Sequence, residues 1–237
     1  MNPLRRLVIS SAALAPLGCA TATFDSGIPV AAPKKIPSVR SPQLGQEWIY
    51  SKFDTFSSRI LDMVTERIEI VGPEVTISRS NRDNANLASE IQSSWGMITT
   101  DLHWGRILNY GPAILLWPEQ MQVNWSKQFT TRYSIAGYSG NSFGWQQYMY
   151  CAGWEKFKVP AGEFTCLRYQ NPINFQSDDA NKVDCIRHEI IWFAPEIGRW
   201  VACASSGSYQ IQGQIGPVLL ENSTAWKCVP GSNTYVI

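Results

Sequence analysis

Residues 63–78 read MVTERIEIVGPEVTIS and carry the clearest strand pattern in the chain. Val64, Ile68 and Ile70 fall on one side of an extended segment, because side chains alternate between the two faces of a strand. Gly72 and Pro73 form a turn signal, after which apolar and polar residues alternate again. The stretch therefore predicts a β-hairpin.

Similar short runs, each bounded by Gly, Pro, Asn or Asp, occur on both sides of this hairpin. They span residues 48–56, 145–150, 154–159, 164–169, 186–193 and 199–204. Strands at this spacing predict an all-β fold with a curved antiparallel sheet, either a half-barrel or a partly open barrel. One or two short helices are expected, the best candidate being residues 84–92. Without an internal repeat, residues 45–230 are predicted to form a single β domain.

The N-terminus has the pattern of an export signal. Arg5 and Arg6 precede a short apolar run over residues 7–17, too short to span a bilayer, so residues 1–18 are predicted to be a signal peptide. Gly18-Cys19 directly follows this run and resembles the lipobox of bacterial lipoproteins. The resemblance implies that Cys19 carries lipid and is the first mature residue. The alternative is a signal peptide cleaved after Ala22.

Residues 19–44 are rich in proline and small residues and show almost no apolar periodicity. Such a chain is extended, so the segment is predicted to be a lipid-anchored flexible linker between a membrane and the β domain. A simply disordered start is the alternative. The predicted location is the cell envelope, on the periplasmic face of the outer membrane.

The composition excludes some classes of partner. Lys and Arg number 20 against 19 Asp and Glu, so no basic field exists that would hold nucleic acid. Apolar residues make up 44% of the chain, enough for a core, but no run of about eighteen apolar residues predicts a membrane-spanning helix.

Two segments resemble a known family. Residues 153–164 read GWEKFKVPAGEF, and residues 192–201 read WFAPEIGRWV. Together they resemble motifs of the DUF3108-like bacterial envelope proteins, and LLWP at 115–118 followed by Trp125 is similar to a third. The resemblance implies a half-barrel like that of LolA and LolB, with an apolar concavity. Turn formation by Pro160 and Gly162 explains the first motif without any active site.

The residues offer little catalytic chemistry. Asp101, His103 and Ser139 would have to converge to form a hydrolytic site, and no nucleophile motif supports them. His188 lies among apolar residues and is expected to be a packed ring. No metal or cofactor motif occurs, so the chain is predicted to be non-catalytic and to need no cofactor.

Five cysteines follow Cys19. Cys151, Cys166, Cys185 and Cys203 are candidates for disulfides, because an oxidising periplasm usually cross-links such a set. Cys228 makes the number odd, so at least one thiol stays unpaired or pairs elsewhere.

Two functions remain open. In the first, the concave face binds an acyl chain or another apolar ligand, with Trp154, Phe164 and Trp192 in its lining. In the second, a structural or adaptor lipoprotein binds another envelope protein or a glycan. A large enclosed apolar pocket favours the first, and a flat exposed aromatic patch favours the second.

Overall fold

The structure is a computed structural model that describes residues 27–102, 105–138 and 140–231. The predicted signal peptide and Cys19 lie outside these residues. Within the described ranges, no helix is long and apolar enough to cross a membrane.

Thirteen strands and one short 3₁₀ helix make up the described chain. They are β1 (Ile28–Val30), β2 (Glu47–Asp54), β3 (Ile60–Val71), β4 (Val75–Ser80), β5 (Asn86–Ser94), β6 (Met97–Asp101), β7 (Leu108–Leu115), β8 (Ser126–Ile135), β9 (Phe143–Val159), β10 (Gly162–Phe175), β11 (Lys182–Ala194), the 3₁₀ helix (Pro195–Ile197), β12 (Arg199–Ile211) and β13 (Leu219–Cys228).

Strands β2–β13 form an antiparallel, twelve-stranded, up-and-down barrel. Each strand pairs with its neighbours in sequence, and β13 pairs with β2 to close the ring, from Thr224 opposite Asp54 to Cys228 opposite Tyr50. The all-β prediction is confirmed, but the sheet closes further than the predicted half-barrel. Closure depends on pairing between the first and last strands of the barrel, which local periodicity does not report.

The helix predicted over residues 84–92 is wrong. This segment belongs to β5, which pairs with β4 from Asn86 opposite Ser80 to Gln92 opposite Val75. Its inward-facing side chains include Glu90 and Gln92, both fully buried. Because these positions are polar, the period-two apolar pattern of a strand is missing here.

The predicted hairpins are confirmed. Residues 63–78 form most of β3 and the start of β4, joined by the turn at Gly72 and Pro73. Pro160 and Ala161 connect β9 to β10, with Gly162 at φ 146°. Gly198, at φ 72°, ends the turn between β11 and β12 in the left-handed conformation that glycine adopts readily.

Residues 27–44, the N-terminal strap, run along the barrel. β1 pairs with the second half of β9, beyond the part of β9 that pairs with β8. The backbone N–H of Arg40 donates to Pro195 O at 2.8 Å, and Trp95 Nε1 donates to Arg40 O at 2.9 Å. These contacts attach the second half of the predicted linker to the β domain.

The two ends of the barrel differ. At the strap end, Arg40 meets the β11–β12 turn, and Leu116, Trp117 and Met121 from the β7–β8 connection pack against the core. The opposite end, the mouth end, carries the β2–β3, β10–β11 and β12–β13 hairpins among others. The strap and the β7–β8 connection therefore cover one end and leave the mouth end to its hairpins.

Candidate functional site

Four charged side chains lie together inside the barrel. Arg199 is fully buried and contacts both Glu66 and Glu90 at 2.7 Å. Arg79 contacts the same two carboxylates, at 2.9 Å to Glu66 and 2.5 Å to Glu90. We call these residues the buried ion quartet. Each charge faces two charges of opposite sign, which offsets much of the cost of removing it from water.

Strand alternation places the quartet in the interior. Glu66 lies between Val64 and Ile68 on the inward face of β3, and Arg79 follows the buried Ile77 on β4. Apolar periodicity alone does not predict these charges, because they interrupt the apolar pattern of the inward face. Glu66, which lies between two apolar residues on one strand face, was the feature of the sequence that could have indicated a buried charge.

The surroundings favour the charged forms of Glu90, Arg79 and Arg199. Burial by itself raises the pKa of Glu90, but the guanidinium groups of Arg199 and Arg79 outweigh burial and bring that pKa below its ordinary value of 4.5. The contribution of Glu90 to stability is therefore present above its unfolded pKa and lost as the pH falls through the lowered folded value. Burial lowers the pKa of Arg79, yet Glu66 and Glu90 raise it overall.

An inner cavity of about 70 Å³ lies beside the quartet. Asp101 connects the two, since its carboxylate lines the cavity and lies 3.5 Å from Arg79 Nη1. Tyr110 and Asn171 also line it, and neither Tyr110 Oη nor Asn171 Oδ1 has a hydrogen-bond partner among the described residues. The apolar wall consists mainly of Ile114, Ile173, Ile191, Trp145, Trp200 and Trp226.

A wider cavity of about 270 Å³ opens at the mouth end and has charged walls. The charges pair with one another, as in the 2.5 Å contact between Lys182 and Glu221. Arg187 lines this outer cavity and donates through Nη1 to Ser205 Oγ at 3.2 Å, while Ser205 lines the inner cavity. Arg187 therefore stands between the two cavities.

The aromatic residues predicted to line a ligand site do not share one face. Trp192 stacks on Phe157 with ring centroids 4.4 Å apart, and Phe164 lies opposite Phe157 in the sheet, so all three are on the same face. Ile191, next to Trp192, lines the inner cavity. Since neighbouring side chains point to opposite faces, Trp192 and Phe164 point outward.

Trp154 lies opposite Leu167 on β10. Leu167 is on the same face of β10 as Asn171, which lines the inner cavity, so Trp154 points into the barrel. Trp154, Phe164 and Trp192 are each at most 5% exposed, and none of them lines the inner cavity. All three pack the sheet. Their role as ligand contacts stays a prediction.

The predicted disulfides are not formed. Cys151, Cys166, Cys185 and Cys203 are free thiols in the structure. The register gives the reason, since their cross-strand partners are Tyr169, Glu155, Phe175 and Ile191. Burial also raises the pKa of Cys151 to about 12 and that of Cys166 well above its ordinary value, which disfavours the reactive thiolate.

The residues considered for hydrolysis are only partly described. His103 and Ser139 lie outside the described residues, and the Asp101 carboxylate lies against Arg79. His188 is exposed on the outer face of β11, so the packed ring expected from its apolar neighbours is wrong.

Several exposed apolar side chains lie at the mouth end, on two adjacent hairpins. Ile215 and Leu220 of the β12–β13 hairpin are fully and 65% exposed, and Phe56 of the β2–β3 hairpin is 66% exposed. A hydrogen bond from Thr55 N to Ser223 O, 3.2 Å long, joins the two hairpins. We call the exposed apolar residues of these hairpins the apolar patch: Phe56, Ile60, Leu61, Ile215, Val218, Leu219 and Leu220.

No family model matches the chain, and no curated protein is significantly similar to it. The motif resemblance to DUF3108-like proteins therefore stays a prediction. Among solved structures, a candidate lipoprotein of Parabacteroides distasonis has a TM-score of 0.54 at 11% identity, covering 82% of this chain and 98% of its own.

A second solved structure is a candidate exported protein with a YmcC-like fold from Bacteroides fragilis. It has a TM-score of 0.54 at 12% identity, covering 81% of this chain and 97% of its own. At these identities the likeness shows the fold alone.

Proposed function

We propose that the chain is a non-catalytic envelope lipoprotein, anchored through lipid on Cys19, that binds another envelope protein through the apolar patch. The patch itself carries this proposal. Exposed apolar side chains gathered on one part of a surface are typical of protein interaction sites. No charged residue occurs between Arg199 and Glu221, so the protruding β12–β13 hairpin presents no charge that would have to be desolvated on binding.

The position of the patch favours a protein partner over the anchoring membrane. The backbone N–H of Gly27 donates to Glu155 Oε2 at 3.2 Å, in the second half of β9, which leads to the strap end. A lipid on Cys19 would therefore hold the barrel by its strap end. The mouth end, with Ile215 and Leu220, would point away from that membrane.

The interior supports the adaptor function over an acyl-chain carrier. The inner cavity of about 70 Å³ is less than half of the roughly 150 Å³ that holds one benzene molecule. The buried ion quartet occupies another part of the interior, where an alkyl chain would have to pack against charges. The part of the barrel around the inner cavity is therefore filled largely by its own side chains, and the wider outer cavity has charged walls.

Replacing Leu220 with Asp is expected to reduce capture of the partner at least tenfold, because a charge in an apolar interface costs roughly 1.4 kcal/mol or more. The measurement is quantitative mass spectrometry of proteins co-purified from detergent-solubilised envelopes, followed by titration of the purified partner. Val123→Asp is the matched control, since Val123 is exposed but lies in the β7–β8 connection at the strap end. Equal capture by both variants would contradict the proposal.

Replacing Cys19 with Ala is expected to move the protein from the membrane fraction to the soluble periplasmic fraction. The reason is that the thiol of Cys19 is the proposed site of diacylation, and Gly18-Cys19 follows the apolar run directly. Fractionation and mass spectrometry of the mature N-terminus measure this. A mature N-terminus at Thr23 would show that the cysteine is lost with the signal peptide.

A further inference from the structure

Two polar groups that lack a hydrogen-bond partner face the same cavity inside the barrel. Tyr110 is 6% exposed and Asn171 is 3% exposed, and the unpartnered atoms are Tyr110 Oη and Asn171 Oδ1. A buried polar group without a partner costs about 1–3 kcal/mol, so protein interiors usually supply one. Two such groups at one cavity point to an occupant that bonds to both.

The acidic side chains around the cavity already lie next to arginines. Among the described residues, no lysine or arginine lines it. The Asp101 carboxylate lies 3.5 Å from Arg79, and Glu189, the other acidic residue in the wall, is two positions from Arg187 on the same face of β11. An anion would therefore meet only carboxylates in this wall, and a cation would have to compete with Arg79 and Arg187 for them.

The remaining wall is apolar and largely aromatic. Tyr110 and Trp145 pack edge to face with centroids 5.0 Å apart, and the rings of Trp200 and Trp226 lie 6.1 Å apart on neighbouring strands. These surfaces favour contact with an apolar group over contact with bulk water. The cavity therefore combines an apolar wall with two separate polar positions.

We infer that the inner cavity binds a small uncharged molecule that carries a hydrogen-bond donor and an acceptor beside an apolar group, as an amide or an alcohol does. Tyr110 Oη donates to the oxygen of this molecule, and the N–H or O–H of the molecule donates to Asn171 Oδ1. One water needs roughly 10–15 Å³ of such a cavity, so about 70 Å³ admits roughly five non-hydrogen atoms. This inference is independent of the apolar patch.

The route to this site runs through the mouth end. The outer cavity of about 270 Å³ lies beyond Arg187, whose Nη1 bonds to Ser205 Oγ at 3.2 Å. Movement of the Arg187 side chain away from Ser205 would connect the two cavities.

Acetamide, acetate and acetamidinium test the inference, because they share one shape and differ in charge. We expect acetamide to bind the mature chain with a dissociation constant in roughly the millimolar range, as suits four non-hydrogen atoms. Acetate and acetamidinium should bind at least tenfold more weakly. Ligand-observed NMR titration measures all three. Stronger binding of either ion would overturn the uncharged class of ligand.

Two variants locate the binding. Tyr110→Phe and Asn171→Leu should each weaken acetamide binding about three- to tenfold, the effect of one lost hydrogen bond. Tyr148→Phe is the matched control, since Tyr148 is 42% exposed on the outer face and should leave binding unchanged. If wild-type protein binds no acetamide, or all three variants bind it equally, the cavity holds water only and the inference is wrong.

Discussion

Replacing Arg199 with Met is expected to lower the free energy of unfolding by about 3–5 kcal/mol, because it leaves two buried carboxylates to share one guanidinium. Arg199 is fully buried and lies 2.7 Å from both Glu66 and Glu90. Arg79 remains as the only guanidinium of the quartet, and it also contacts Asp101. Urea unfolding followed by tryptophan fluorescence measures the difference.

Arg67→Met is the matched control for Arg199. Arg67 pairs with Glu69 at 3.6 Å on the outer face of β3, where both side chains are about half exposed. Such surface pairs contribute roughly 0–1 kcal/mol. If the two variants lose the same small amount of stability, the quartet does not hold the barrel together.

Replacing Trp192 with Ala is expected to lower the free energy of unfolding by about 3–5 kcal/mol, as large-to-small changes at buried aromatic residues do. The change removes the stacking on Phe157 at 4.4 Å and the hydrogen bond from Trp192 Nε1 to Glu155 Oε2 at 2.8 Å. Chemical denaturation measures the loss.

Trp192→Phe and Tyr148→Ala are the controls. Trp192→Phe keeps a six-membered ring against Phe157 and loses the pyrrole ring with its N–H, so its effect should be smaller. Tyr148 is partly exposed, and its replacement should change stability by about 0.5 kcal/mol or less. If Trp192→Ala were as stable as wild type, this ring would be free to serve as a ligand contact.

The hairpins of this fold could be predicted from sequence because their signals are local. Pro160 with Gly162 and Pro195 with Gly198 set their turns through backbone geometry alone. Closure of the barrel could not be predicted, because it rests on pairing between β13 and β2, which are far apart in sequence. The sequence of neither strand indicates which strand it pairs with.

The interior was harder to predict for a different reason. Strands β4–β6 point charges inward, namely Arg79, Glu90 and Asp101, so apolar periodicity fails where the ion quartet forms. Within residues 84–92, the inward-facing Glu90 and Gln92 interrupt the alternation expected of a strand. Trp154 and Trp192 were predicted to share one face. In the structure, β9 has a register shift between Cys151, opposite Tyr169, and Gly153, opposite Arg168, and this shift changes which of the following side chains point inward.

Site-specific photocrosslinking in living cells tests whether the apolar patch binds another envelope protein. A photoreactive phenylalanine analogue replaces Ile215 at the mouth end or Val123 at the strap end. If the patch binds such a protein, position 215 should give one discrete crosslinked protein and position 123 should give none. The crosslink from position 215 should disappear when Leu220→Asp is added. Crosslinks from position 215 only to lipid or to a second copy of this chain, or equal crosslinking from both positions, would contradict such binding.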